Sequence, residues 1–231
     1  MENASLNIYD TLLGLPLFQG LSQSSLTQVV GQTKFEFLRH PAGTQVLSAY
    51  SPCHSLIFLI KGSLTATTFS DDRSYELEEQ EPAPFVIEPE RLFGLSQSYV
   101  RSYVAATDVE LLRISKSEVI ALAAHFYVFR VNLLNILSTQ SQRLSRLPWH
   151  PHPHARREKI VHFLTNRCRR PAGRKVFHLG MQSLATQIGE SRLNVSRELH
   201  AMEHEGLLSL NRGIIIIPAL ERLLLNHQLK V

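Results

Sequence analysis

MQSLATQIGESRLNVSRELHAMEHEG, residues 181–206, is the stretch from which the rest of the chain can be read. Leu184, Ala185 and Ile188 are spaced as the buried edge of one helix, and Gly189-Glu190-Ser191 makes a three-residue turn. Ser191 is a helix cap, Val195, Leu199 and Met202 form the inner stripe of a second helix, and Gly206 ends it. Two helices crossing steeply need a small residue at the contact, supplied by Ala185, and a turn residue tolerant of positive φ, supplied by Gly189. The pattern predicts a helix-turn-helix. Its second helix then presents Arg192, Leu193, Ser196, Arg197 and His200 on the outer face. Arginines near the N-terminus of an exposed helix suit major-groove reading, because a guanidinium donates in pairs to guanine and the helix end receives a phosphate. The competing reading is a solvated basic face. Downstream, Leu207 to Ile217 reads as a hairpin turning at Asn211-Arg212-Gly213, which would form a wing with Arg212 at its tip.

Upstream, Pro148-Trp149-His150-Pro151-His152-Pro153-His154 cannot continue a helix and reads as a stiff linker. Cutting there divides the charge. Residues 148–231 carry 13 Lys+Arg against 6 Asp+Glu, a net +7, and the remainder carries −3. A basic end suggests a polyanionic partner for that end alone. The 231 residues, 44% hydrophobic and 19% charged, suffice for two modest domains. No apolar run reaches the roughly 18 residues of a membrane span, and Met1 to Asp10 lacks a signal-peptide pattern, so the expectation is a cytoplasmic protein with no membrane partner. Cys53 and Cys168 are too few and too far apart for a disulfide framework or a four-thiolate site.

From Lys34 to Ile114 the sequence breaks into short runs: Lys34–Leu38, Thr44–Leu47, Leu56–Ile60, Leu64–Phe69, Ser74–Glu78, Pro84–Ile87 and Val109–Ile114. Turns such as Pro41-Ala42-Gly43 and Lys61-Gly62 separate them, the pattern of a β-sandwich or barrel. After Ser115 the period becomes helical as far as Leu147. Over Phe126 to Leu147, the residues Phe126, Leu133, Leu137, Gln140, Leu144 and Leu147 follow a heptad-like spacing, so this helix, roughly 33 Å long, could pair with its own copy. Alternatively, the stripe packs on the strand domain.

With these elements placed, the chain resembles the Crp/Fnr superfamily (cyclic-AMP receptor protein and fumarate-nitrate regulator) over nearly its whole length. The resemblance rests on Leu15-Pro16-Leu17-Phe18-Gln19-Gly20-Leu21-Ser22, on Pro41-Ala42-Gly43-Thr44-Gln45-Val46, and on Leu56 to Leu64. It rests also on Ser183-Leu184-Ala185 through Ile188-Gly189-Glu190-Ser191-Arg192, on Val195-Ser196-Arg197, and on Glu205-Gly206-Leu207-Leu208. The fold it implies is α+β: a jelly-roll, cyclic-nucleotide-binding-like sensor over residues 1–115, a helical segment with the dimerisation helix over 116–147, a Pro/His linker over 148–154, and a winged helix-turn-helix over 155–231. It further implies a homodimeric transcription regulator binding a palindromic site on double-stranded DNA, with RNA polymerase a candidate further partner. Arg192 and Arg197 take base-reading positions, while Ser191, Asn194 and Ser196 are candidates for phosphate or water-mediated contacts. Leu193 stands where the best-known members carry a glutamate that accepts from cytosine. A leucine can touch a thymine methyl instead, so a different half-site is expected.

The sensor departs further. Cyclic-nucleotide binders of the family carry Gly-Glu ten residues before Arg-Ser or Arg-Thr. Here Arg101-Ser102 supplies the second half, but Arg91 stands where the glutamate belongs. An arginine cannot accept from a ribose hydroxyl, which argues against cyclic AMP. Arg91 and Arg101 together could hold another anion, or both could be surface residues on a degenerate pocket. The cysteine pattern argues against an iron–sulfur cluster, and His40, His54 and His125 have no partner at haem-ligand spacing. His150, His152 and His154 are weak metal candidates, more simply a solvated linker. The effector thus stays open, as does a ligand-, metal- or haem-sensing module of the same fold whose DNA binding is conditional. No phosphate loop, metal-ligand pair or nucleophile elbow points to an enzyme.

Overall fold

In the computed structural model, residues 2–146 and 153–228 are described. They form two compact units, one of Met1–Leu64 with Glu81–Arg146 and one of Thr65–Gln80 with Leu147–Val231. A single cut at the Pro/His linker therefore misses a second crossing, because a hairpin from the strand region belongs to the C-terminal unit.

The first unit opens with α1 (Glu2–Gly14) and α2 (Gln23–Gln32), the latter capped by Ser22, whose side chain accepts from the Ser25 backbone N–H. The strands are β1 (Phe35–His40), β2 (Gln45–Leu47), β3 (Ser55–Lys61), β4 (Ser63–Phe69), β5 (Glu76–Pro82), β6 (Phe85–Ile87), β7 (Ser102–Ala105) and β8 (Val109–Ser115). In this unit β1, β8, β3 and β6 form one antiparallel sheet in that order, and β2 pairs with β7 in the other layer of a sandwich. β7 went unread in the sequence because Ser102-Tyr103-Val104-Ala105 is short and abuts polar residues, although Tyr103 and Ala105 are buried. Gly62, at φ +88°, joins β3 to β4 where a Cβ would collide with the Asp108 carbonyl.

α3 (Lys116–His125) and α4 (Tyr127–Arg146) are separate helices bent by 117°. The long helix expected over Phe126 to Leu147 is α4, which starts one residue later. Phe126 caps α3 in an extended conformation and is buried. Phe129 packs on Phe18 with ring centroids 5.3 Å apart, and Phe18 in turn meets Phe58 of β3 and Phe35 of β1. The Asn132 side-chain amide donates to the Leu17 and Gln19 carbonyls. The first half of α4 is thus fixed to its own sandwich, as the alternative reading of the stripe had it. Phe126 and Leu133, read as positions of the self-pairing seam, are core residues at 9% and 7% exposure. Tyr127, Leu134 and Leu144 are exposed, while Leu137 and Gln140 are half-buried. Of the predicted seam, Leu144 thus faces outward, Leu137 and Gln140 are partly covered, and Leu147 lies outside the described residues.

The second unit contains α5 (Arg156–Asn166), β9 (Lys175–His178), α6 (Met181–Ile188), α7 (Arg192–His204), β10 (Ser209–Asn211), β11 (Ile214–Ile217) and α8 (Leu220–Gln228). Its sheet runs β10-β11-β9-β5-β4, with β10–β11, β11–β9 and β9–β5 antiparallel. The β4–β5 hairpin joins because Leu77 enters the apolar core with Phe163, Phe177, Leu184, Leu199 and Leu223. Glu79, 1% exposed, accepts from Lys175 Nζ at 2.7 Å and from the Arg169 backbone N–H at 3.0 Å. Tyr75 packs edge-on against Phe163 and accepts from Arg167 Nε. Among the described residues no single helix is long and apolar enough to cross a membrane.

Candidate nucleic-acid interface

The interface is built from α6, α7 and the β10–β11 hairpin. Gly189 ends α6 in the left-handed region at φ +67°, and the backbone N–H of Glu190 returns to the Ala185 carbonyl at 3.0 Å. Ser191 Oγ accepts from the Asn194 N–H at 3.2 Å and starts α7. Val195, Leu199 and Met202 are buried to 1% or less and set the rotation of the helix. The opposite face follows from that rotation: Ser191, Arg192, Leu193, Arg197 and His200 are exposed, and Asn194 and Ser196 are intermediate. Leu193, at 60% exposure, makes the hydrophobic member of a polar row. An apolar side chain held in water beside two arginines fits contact with a thymine methyl.

Three ties hold this arrangement. Glu190, in the turn, accepts from Lys159 Nζ at 2.7 Å and faces Arg156 Nε at 3.7 Å. The lysine hydrogen bond holds the Glu190 carboxyl below its ordinary value. Arg157 makes a two-pronged pair with Glu205, at 2.7 and 2.5 Å, and reaches Glu198 at 3.7 Å. Glu203 of α7 accepts from the Leu210 N–H at 2.7 Å and fixes the base of the wing. Sequence reasoning counted Arg156, Arg157 and Lys159 only as basic charge. Their pairing with Glu190, Glu198 and Glu205 is long-range and left no local signal.

The wing turn brings Arg212 to the exposed tip, with Gly213 at φ +74°. Arg192 and Arg212 line one groove of about 370 Å³ together with Gly180, Met181, Gln182 and Asn211. Helix and wing thus face a common channel.

The sensor residues are placed differently. Arg101 is 9% exposed and lies 3.6 Å from Glu81, itself fully buried. Its backbone N–H, that of Val100 and the Tyr103 hydroxyl all donate to Glu88. Ser102 begins β7 and its hydroxyl accepts from the Ala49 N–H. Arg91 closes a single 3-10 turn, Pro89–Arg91, half-buried, with its Nε buried and without a hydrogen-bond partner among the described residues. Cys53 is buried and desolvation pushes its thiol up, so it is poorly suited to be a nucleophile. His154 is exposed just ahead of α5, and His150 and His152 lie outside the described residues.

Comparison with known proteins agrees with this geometry. Residues 158–225 match the family model of the Crp-like helix-turn-helix domain. No curated protein matches the chain. The sensor domain of the transcriptional regulator DNR from Pseudomonas aeruginosa is similar at 21% identity and a TM-score of 0.52, over 63% of this chain and 95% of that one. The catabolite activator protein of Thermus thermophilus is 20% identical over 91% of this chain and 97% of its own, with a TM-score of 0.49. Residues 158–225 therefore form a Crp-like helix-turn-helix domain, and the N-terminal β-sandwich shares its fold with the sensor domain of a transcriptional regulator.

Proposed function

We propose that the protein acts as a homodimer on a roughly palindromic duplex, with α7 in the major groove and the wing at the adjacent backbone. The observation that carries this reading is the exposed row Arg192, Leu193 and Arg197, fixed in rotation by the buried stripe Val195, Leu199 and Met202. Arg192 and Arg197 read bases, Ser191, Asn194, Ser196 and Arg212 meet the backbone, and Leu193 selects a thymine. The second half of α4 pairs the two copies. Leu134, Leu137 and Leu144 recur there at three- and seven-residue steps, which is the spacing of a helical seam.

Cyclic AMP does not fit the sensor in this reading. Arg101 is engaged by Glu81, and the Glu88 carboxylate already accepts three hydrogen bonds. Arg91, with its unsatisfied Nε, is the group that would meet an anionic effector. The role assigned to the protein is regulatory rather than catalytic.

The test is selection of bound duplexes from a random library by the purified full chain, repeated across salt concentrations. Expected are a palindrome with half-site centres about 34 Å apart and a steep loss of binding with salt. Leu137→Glu should abolish both the dimer and the palindrome. Enrichment of single half-sites by an intact monomer would overturn the dimer reading, and salt-independent or absent enrichment would overturn the DNA reading.

A further inference from the structure

On the C-terminal sheet, β5 and β9 place three potential metal ligands on one face. Glu76 stands opposite His178 in the antiparallel register, and Glu78 stands opposite Val176. Alternation along β5 sends Leu77 and Glu79 into the interior and leaves Glu76 and Glu78 together on the outer face. His178 Nε2 lies 3.0 Å from Glu78 Oε1 and 3.6 Å from Glu76 Oε1. One donor atom from each of the three residues falls within 4.8 Å of the others.

We propose that Glu76, Glu78 and His178 bind one first-row divalent transition-metal ion. The two spans from His178, 3.0 and 3.6 Å, suit such an ion: bonds of about 2.0–2.2 Å to nitrogen and oxygen separate neighbouring donors by roughly 3.0–3.5 Å. The charge fits as well. Two carboxylates flanking one neutral imidazole leave two negative charges, which a dication cancels. Imidazole selects against magnesium and calcium, which prefer oxygen donors throughout, and the lack of a thiolate selects against copper(I). Manganese, iron(II), cobalt, nickel, copper(II) and zinc remain. The three side chains are about one-third exposed, leaving the remaining coordination positions to water.

The position gives the ion a mechanical role. Glu76 and Glu78 belong to the hairpin within residues 65–80, whereas His178 pairs with Ile214 at the start of β11. Leu179 N–H donates to the Gly213 carbonyl at 2.8 Å, one residue from Arg212. A bound ion therefore cross-links the hairpin to the base of the wing. This consequence rests on the DNA-binding reading, but the site itself does not.

The test uses the untagged full chain, freed of metal with a chelator and titrated calorimetrically with Zn²⁺ and, for its visible spectrum, with Co²⁺. One ion should bind per chain, with a raised melting temperature. His178→Ala and the isosteric Glu78→Gln should each weaken binding by about tenfold or more. Circular dichroism establishes that both variants are folded, and Glu78→Gln stands in if the alanine variant is not. A triple alanine variant at His150, His152 and His154 should bind as tightly as the parent. Absence of binding by the parent, undiminished binding by folded His178→Ala and Glu78→Gln, or loss of binding in the linker variant would each overturn the proposal, whatever the outcome of DNA selection.

Discussion

The sandwich and the helix-turn-helix use arginine in opposite ways. Arg101 is held inside at 9% exposure with Glu81 opposite, whereas Arg192, Arg197 and Arg212 stand in water. A guanidinium already desolvated and paired has its charge met within the chain. One left in water keeps its forked donors for a planar acceptor, and on binding DNA it displaces counterions as well. Arg157 shows the intermediate case, a two-pronged pair with Glu205 that locks α5 to α7. The functional meaning of an arginine in this chain is therefore set by burial and by its carboxylate partner.

The sharpest way to break this distinction is to remove a buried carboxylate. Glu79→Ala strands Lys175, which is 1% exposed, and should cost about 3–5 kcal/mol of stability in chemical denaturation. Glu81→Ala should act in the same direction on the sandwich by leaving Arg101 without its carboxylate. Arg192→Ala should leave stability within about 0.5 kcal/mol of the parent, as expected for an exposed site. A large loss of stability in Arg192→Ala, or none in Glu79→Ala, would erase the distinction.

The next effects are read on DNA. Arg192→Ala should lose about 1–3 kcal/mol of specific affinity and relax the preference at one base pair, measured by competition between the selected site and its single-base variants. Leu193→Glu restores an acceptor, so the preferred base at its position should move from thymine contact toward cytosine. Arg212→Ala should weaken all duplexes nearly equally and reduce the salt slope by about 1.

The parts of the molecule that were legible in the sequence are those written in local chemistry. Gly189, Ser191 and the stripe Val195, Leu199 and Met202 specify the turn, the cap and the helix face within fifteen residues, and the structure places each accordingly. Gly213 likewise marks the wing. What escaped depends on partners distant in sequence. Glu79 and Lys175 are separated by 96 residues, and Leu77 enters a core formed almost wholly by residues beyond 159, so the hairpin's membership of the C-terminal unit had no local sign. The stripe on α4 was visible as a period, but the residue at which it turns outward depends on Phe18 and on the Leu17 and Gln19 carbonyls. In the sequence Arg101 stands out only by its charge and its neighbour Ser102, whereas the buried Glu81 decides what that charge does.

The smallest expected effect concerns the tie between α5 and the turn. Lys159 donates to Glu190 and lowers its pKa from the ordinary 4.5. A carboxyl whose pKa is lower folded than unfolded contributes stability that is complete above the unfolded value and fades as pH falls through the folded one. The tie should therefore be intact at neutral pH and weaken below about 4.5, as fewer Glu190 carboxylates remain to hold Lys159 and Arg156. In Glu190→Gln the acid-side fall in melting temperature should be shallower than in the parent, because one fewer carboxyl takes up a proton on unfolding. Salt separates this tie from the buried one. Lys159 and Arg156 are 27% and 60% exposed, so added salt should shrink the difference between Glu190→Gln and the parent, while the dry Lys175–Glu79 pair should respond little. If both pairs respond equally to salt, Glu79 is wetter than its 1% exposure implies, and the hairpin is held to the C-terminal core by Leu77 and Tyr75 rather than by charge.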